Sequence, residues 1–185
     1  MNVLRLEGRV WLTEAVAVTI AESAERAHPD EAGGVLIGVL SRSRPWVTAA
    51  IEIPSAHASG SYYGLPEGSR RRVVSHHRQS DGRLGYLGEW HSHPSDVVPS
   101  RVDIDAMKRV ARDLDACSPH PLLIVARRRD CAYTLDAREV RNARVRRVRL
   151  IAAGPLPPAG HDSESGTDLR WQPGGAHDYD LAPIR

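Results

Sequence analysis

The chain has 185 residues, enough for one domain with a real buried core and a tail. Its 25 basic and 23 acidic residues leave a formal net charge of +2, which excludes a strong global field for nucleic acid. Two cysteines, Cys117 and Cys131, are too few for a disulfide framework, no apolar run is long enough to cross a membrane, and MNVLRLEGRVWLTEA lacks the pattern of a signal peptide, so the expected setting is a reducing cytoplasm.

Residues 3–11 (VLRLEGRVW) read as a short strand or hairpin arm. Thr13 is placed to cap a helix over 14–28, where Val16, Ala17, Ile20, Ala24 and Ala27 form an apolar side. The helix stops near His28-Pro29, because a residue before proline is pushed out of the α region. Glu31-Ala32-Gly33-Gly34 then leads into Val35–Leu40, a nearly unbroken apolar run that reads as a strand buried on both faces. Residues 46–53 are its neighbour across a hairpin turn at SRSRP.

Residues 54–83 are the least regular part, with Ser69 placed to cap a short helix through Val73, Val74 and His77. Residues 84–91 return to strand, 101–116 form a helix, and 121–127 and 131–136 are two further strands. Residues 138–151 mix valine with arginine and read as an edge strand whose charges blunt pairing. From Gly154 onward Pro, Gly, Asp, Ser and His dominate, so the domain spans 1–153 and 154–185 is a flexible tail, in which Trp171 and Leu181 are the residues able to dock. The chain has no phenylalanine, so its core is aliphatic with a few Trp and Tyr. The element order predicts an α/β fold, a mixed β-sheet flanked by helices.

The stretch Glu89 to Asp103, EWHSHPSDVVPSRVD, carries the chemistry. Side chains alternate along a strand, so His91 and His93 share a face and both reach one metal ion. Asp103, Met107, Val110 and Leu114 fall on one stripe of the following helix. Their apolar members mark that stripe as buried, and an inward Asp103 there needs a cation. Asp105 points away. Two imidazoles and a carboxylate leave a fourth zinc position for water, the pattern of catalytic sites. Glu31, beside Gly33-Gly34, is the candidate general base. Ser100 is the candidate donor to an oxyanion.

Glu31 with AGGVLIG, then GEWHSHP, then Ser100-x-x-Asp103 together resemble the JAMM motif of the JAB1/MPN/Mov34 metalloprotease family, and the similarity covers most of residues 10–135. The resemblance implies an MPN/JAB-like, cytidine-deaminase-like architecture. It implies His91, His93 and Asp103 as ligands of a zinc ion, Glu31 as general base and Ser100 as oxyanion stabiliser. It also implies cleavage after the C-terminal glycine of a ubiquitin-like protein, with that protein's tail or its conjugate as partner. In a bacterial setting it points to E1- and E2-like operon partners and to antiphage or ubiquitin-like conjugation systems. The gap from His93 to Ser100 is one residue shorter than the family pattern, which bears on Ser100 more than on the ligands. Segment 54–83 is expected to line the substrate groove, gripping an extended tail as an added strand.

Plainer readings stand beside these. Ser100-x-x-Asp103 is also close to a helix capping box. Glu89 shares the ligand face and reads as a partner for an imidazole, or as the base should Glu31 prove distant. His57, His76, His77 and Asp96 read as solvated loop residues. The arginine-rich edge reads as a solvated face, although an acidic partner or nucleic acid would fit it. The rival functions are a non-catalytic MPN scaffold and a DNA-repair-associated relative. A zinc deaminase fits poorly, since the PCxxC half of its signature is missing. Neither a membrane nor nucleic acid is the expected partner.

Overall fold

A computed structural model describes residues 8–41, 44–66, 68–113, 120–141 and 144–154. Leu114, Cys117 and the tail beyond Gly154, with Trp171 and Leu181, lie outside the described residues. The elements run β1 (Gly8–Thr13), α1 (Glu14–Ala27), β2 (Gly33–Ser41), β3 (Arg44–Glu52), α2 (Ser69–Gln79), β4 (Gly85–His93), α3 (Arg101–Asp113), β5 (Leu122–Arg129), β6 (Ala132–Arg141) and β7 (Arg144–Ala153).

The expected fold, a mixed sheet flanked by helices, is corrected by the pairing. The seven strands close into a barrel in the order β1-β3-β2-β4-β5-β6-β7. Closure comes from β1, which runs parallel to β7 from Gly8↔Val148 to Thr13↔Ala153 and parallel to β3 at Trp11↔Trp46 and Leu12↔Val47. Sequence periodicity carries no signal for such a non-local pairing, so it does not distinguish a closed barrel from a helix-flanked mixed sheet. The single edge strand expected over 138–151 is also corrected. Residues 138–141 end β6 and 144–153 form β7, which has a neighbour on each side.

Closure wraps the sheet around α1, whose Val16, Ile20 and Ala24 are buried and which touches β1 through β6. Val16 and Ile20 join Val10, Leu12, Leu36, Val47, Trp90, Ile124 and Val148 in one core. Each such side chain removed from water contributes about 1.5–3 kcal/mol. A second core on the opposite sheet face joins Val35, Ile37, Tyr63, Val73, Met107, Val110, Leu123 and Val125. Trp90 therefore faces away from the histidines, and α2 and α3 pack on the second face.

Both expected side-chain caps take another form. Thr13 occupies the cap position of α1 without a side-chain hydrogen bond, and Gly68, in a left-handed conformation with φ 78°, precedes α2. Ser69 instead donates its hydroxyl to the Pro66 carbonyl. Among the described residues no helix is long and apolar enough to cross a membrane.

Candidate metal centre

β4 is buried along its whole length, and its last three residues are His91, Ser92 and His93. Alternation turns both imidazoles to the same face, where His91 Nε2 and His93 Nε2 lie 3.1 Å apart. Pro94 ends the strand, and α3 brings Asp103 back onto the pair. Asp103 Oδ1 is 3.5 Å from His91 Nε2, and Oδ2 is 3.6 Å from His93 Nε2. Met107 and Val110 are buried on the same helical stripe, while Asp105 turns outward to Lys108 and Arg101.

The three side chains offer one donor atom each, all within 4.8 Å of one another and all buried. His93 Nδ1 lies 2.8 Å from the Val97 carbonyl. A carbonyl only accepts, so Nδ1 carries a proton, and Nε2 is the ring atom turned to the cluster. Bonds of about 2.0–2.1 Å to one tetrahedral zinc set donor atoms about 3.3 Å apart, close to the separations seen. The donor set thus fits a small divalent cation. His91 Nδ1 is buried and has no hydrogen-bond partner among the described residues.

Charge in the cluster is polarised. Burial by itself would raise the Asp103 carboxyl, but the imidazoles of His91 and His93 and the contact with Ser100 hold it well below the usual carboxylate range. Burial would lower His93, yet Asp103, the Val97 carbonyl and the Glu31 charge raise it. Glu31 is 7% exposed. Burial pushes its carboxyl up to about 7, opposed by His93 and reinforced by Asp103. These mutual effects put Glu31 within electrostatic reach of the ligand cluster.

Glu31 sits on the short turn between α1 and β2. Its N–H donates to the Ser59 carbonyl at 2.9 Å, which brings that part of the loop against it. Two glycines let the chain pass here. A Cβ on Gly33 would stand 2.4 Å from the Tyr63 ring, and one on Gly34 would stand 1.8 Å from the Ile51 carbonyl oxygen. Tyr63 donates its hydroxyl to the Ile53 carbonyl at 2.6 Å, holding the ring over Gly33.

Ser100 forms the capping box. Its N–H donates to Asp103 Oδ2 at 2.6 Å, and its Oγ accepts from the Asp103 N–H at 3.2 Å. The hydroxyl is exposed and keeps its own proton to donate. Glu89 is turned elsewhere: its Oε1 accepts from the Tyr86 hydroxyl at 3.2 Å, and burial pushes its carboxyl up to about 7 against that hydrogen bond. Asp96 is exposed on the loop, as expected, and is ion-paired with Arg127. His77 Nδ1 meets the Leu84 carbonyl at 2.8 Å, tying α2 to the start of β4. None of His57, His76 and His77 enters the group of three.

One residue escaped the sequence reading. Ser92 Oγ accepts from the Ala32 N–H at 2.9 Å, and the Ser92 N–H donates to the Ala32 carbonyl at 2.7 Å. The signal was a hydroxyl at a strand position whose neighbour Trp90 is core, since a buried hydroxyl needs a partner.

A family model described as prokaryotic homologs of the JAB domain matches residues 13–146. A probable metalloprotease, y4qB, of Sinorhizobium fredii is 26% identical over 121 residues, 63% of this chain and 74% of that protein. A CD-NTase/cGAS isopeptidase of Escherichia coli is 35% identical over 102 residues, 53% of this chain and 63% of its own length. A protein of Desulfitobacterium hafniense with a solution structure shares the fold, with a TM-score of 0.63 at 21% identity over 80% of this chain and 94% of that one.

Proposed function

The chain belongs to the family of prokaryotic homologs of the JAB domain, and on that premise we propose that it is a zinc-dependent isopeptidase or peptidase. Its substrate is the amide bond after the C-terminal glycine of a ubiquitin-like protein, in a conjugate or a precursor. The observation that carries this reading is the convergence of His91, His93 and Asp103 within 4.8 Å. The names of the two relatives, a metalloprotease and an isopeptidase, favour a hydrolase. A non-catalytic scaffold has no need of three buried donors aimed at one point.

His91, His93 and Asp103 would hold the ion. When bound, it supplies Lewis acidity, polarising a carbonyl and making water a stronger acid. Glu31, with a carboxyl poised near 7, takes the proton from the attacking water and returns it to the departing amine. Ser100 turns its remaining O–H toward the oxygen on which negative charge grows. The buried walls exclude bulk water and strengthen each of these interactions. Pairing with an extended glycine-rich tail falls to segment 54–66, which meets Glu31 through the Ser59 carbonyl.

The test is incubation of the zinc-loaded protein with ubiquitin-like proteins carrying a C-terminal extension or an isopeptide-linked target. Intact mass is the readout, with and without chelator. The expected product ends at the terminal glycine and disappears with chelator. Intact substrate after loading at one zinc per chain would overturn the reading.

A further inference from the structure

Arg127 stands beside His93 across the parallel β4–β5 pair. Its guanidinium reaches in two directions. Nε donates to Asp96 Oδ1 at 3.0 Å, and Nη2 contacts the same oxygen. Nη1 lies 3.4 Å from Asp136 Oδ2. Asp136 is 1% exposed and also takes Arg138, whose Nε lies 3.1 Å from Oδ1. A buried carboxylate is therefore tied through Arg127 to Asp96, on the surface loop that links the two ligand-bearing elements.

Asp96 adjoins Val97, whose carbonyl receives the His93 Nδ1 proton at 2.8 Å. The loop has little else to hold it. Val97 N–H bonds to the Ser95 carbonyl, and the side chains of Val97 and Val98 are each 51% exposed. Residues 95–98 are all exposed, so packing at these four positions does little to pin the carbonyl. The ion pair is what remains, and Arg is the residue suited to it, because its planar fork spans two carboxylates at once.

We propose that Arg127 and Asp96 are positioning residues: the Asp136–Arg127–Asp96 bridge fixes the Val97 carbonyl, which in turn holds His93 with its proton on Nδ1 and its Nε2 free for the metal. The inference rests on the proposed metal centre but concerns the loop that prepares it, not the substrate. Partners that orient a metal-binding histidine typically change metal affinity by about 10–100-fold when removed.

Three variants test it: Asp96→Asn, Arg127→Met and, as a control on the exposed neighbour 3.9 Å from Asp96, Arg129→Ala. Zinc affinity is measured by competition with a chromophoric chelator. The His93 tautomer is read by long-range 1H–15N NMR of the metal-free full-length protein, and melting of the same metal-free protein reports folding. Asp96→Asn and Arg127→Met are expected to bind zinc about 10-fold more weakly or worse, and to lose the single Nδ1–H form of His93. Arg129→Ala is expected to match the parent. Asp96 is on the surface, so its variant folds even should Arg127→Met not. An Asp96→Asn protein with parental zinc affinity and an unchanged His93 tautomer would overturn the proposal. Inactivity of a zinc-loaded parent on every ubiquitin-like substrate would instead count against the proposed reaction and leave the bridge standing. The tautomer is read without zinc, so it decides the matter even in a parent that binds none.

Discussion

Ser92 and Ala32 hold each other by two hydrogen bonds, Ala32 N–H to Ser92 Oγ at 2.9 Å and Ser92 N–H to the Ala32 carbonyl at 2.7 Å. The pair staples the turn that carries Glu31 to the strand segment between the two histidines. Removing the hydroxyl leaves the Ala32 N–H buried without an acceptor. Ser92→Ala should lower stability by about 1–3 kcal/mol in urea unfolding. It should also lower turnover by loosening Glu31, while zinc stoichiometry stays at one per chain. Parental stability would show that water replaces the hydroxyl.

Glu31→Gln preserves shape and removes the proton acceptor. Zinc content by mass spectrometry should stay unchanged, because Glu31 is not in the group of three donors. Turnover should fall by about 10²–10⁴-fold. Full activity would remove Glu31 from the chemistry.

Ser100→Ala separates two roles that one hydroxyl holds. Loss of its bond to the Asp103 N–H should lower stability by about 1 kcal/mol. Loss of an oxyanion donor should lower kcat by about 10²–10³-fold. A kcat within a few-fold of the parent, with the stability loss present, would reduce Ser100 to a helix cap.

Glu89 gives the metal-free protein a pH signature. Burial raises its carboxyl to about 7, so the folded state holds a proton that the unfolded chain releases near 4.5. Stability from this group is complete below pH 4.5 and is lost as pH rises through 7, an effect of about 3 kcal/mol. Glu31 and His93 shift in the same direction and Asp103 in the opposite one, with its loss confined to strongly acid pH. The comparison that isolates Glu89 is therefore against Glu89→Gln. The two proteins should be near equal at pH 5, and the variant should gain as pH rises to 8. Parallel stability profiles would mean that Glu89 titrates at its ordinary value.

The sequence spoke clearly where the signal is local. Alternation placed His91 and His93 on one face, and a three-and-four spacing put Asp103 above Met107 and Val110 on a buried stripe. Both are properties of a few consecutive residues, and the donors do converge. Helix α1 was legible within a residue because Pro29 ends it. The barrel was not legible. The contacts that close it join residues about 140 apart, and no pattern within either strand names its partner. Arginines at 144, 146, 147 and 149 gave the edge reading; β7 has two neighbours in the barrel, but its residues 144–147 pair with β6 alone and 149–153 with β1 alone. Glu89 and Asp136 were hidden for another reason. A lone acid in a strand gives no hint that a tyrosine or an arginine will meet it from elsewhere in the fold.

The parallel seam between β1 and β7 sets a constraint on biosynthesis. Among the described strands the first, Gly8–Thr13, has to wait for Arg144–Ala153 before most of its residues gain a strand partner. A ribosome-bound chain that has emerged only to β6 already contains the histidines, Asp103 and Glu31 but cannot complete its cylinder. Closing the cylinder therefore comes after β7 is made, and until then β1 lacks its main partner.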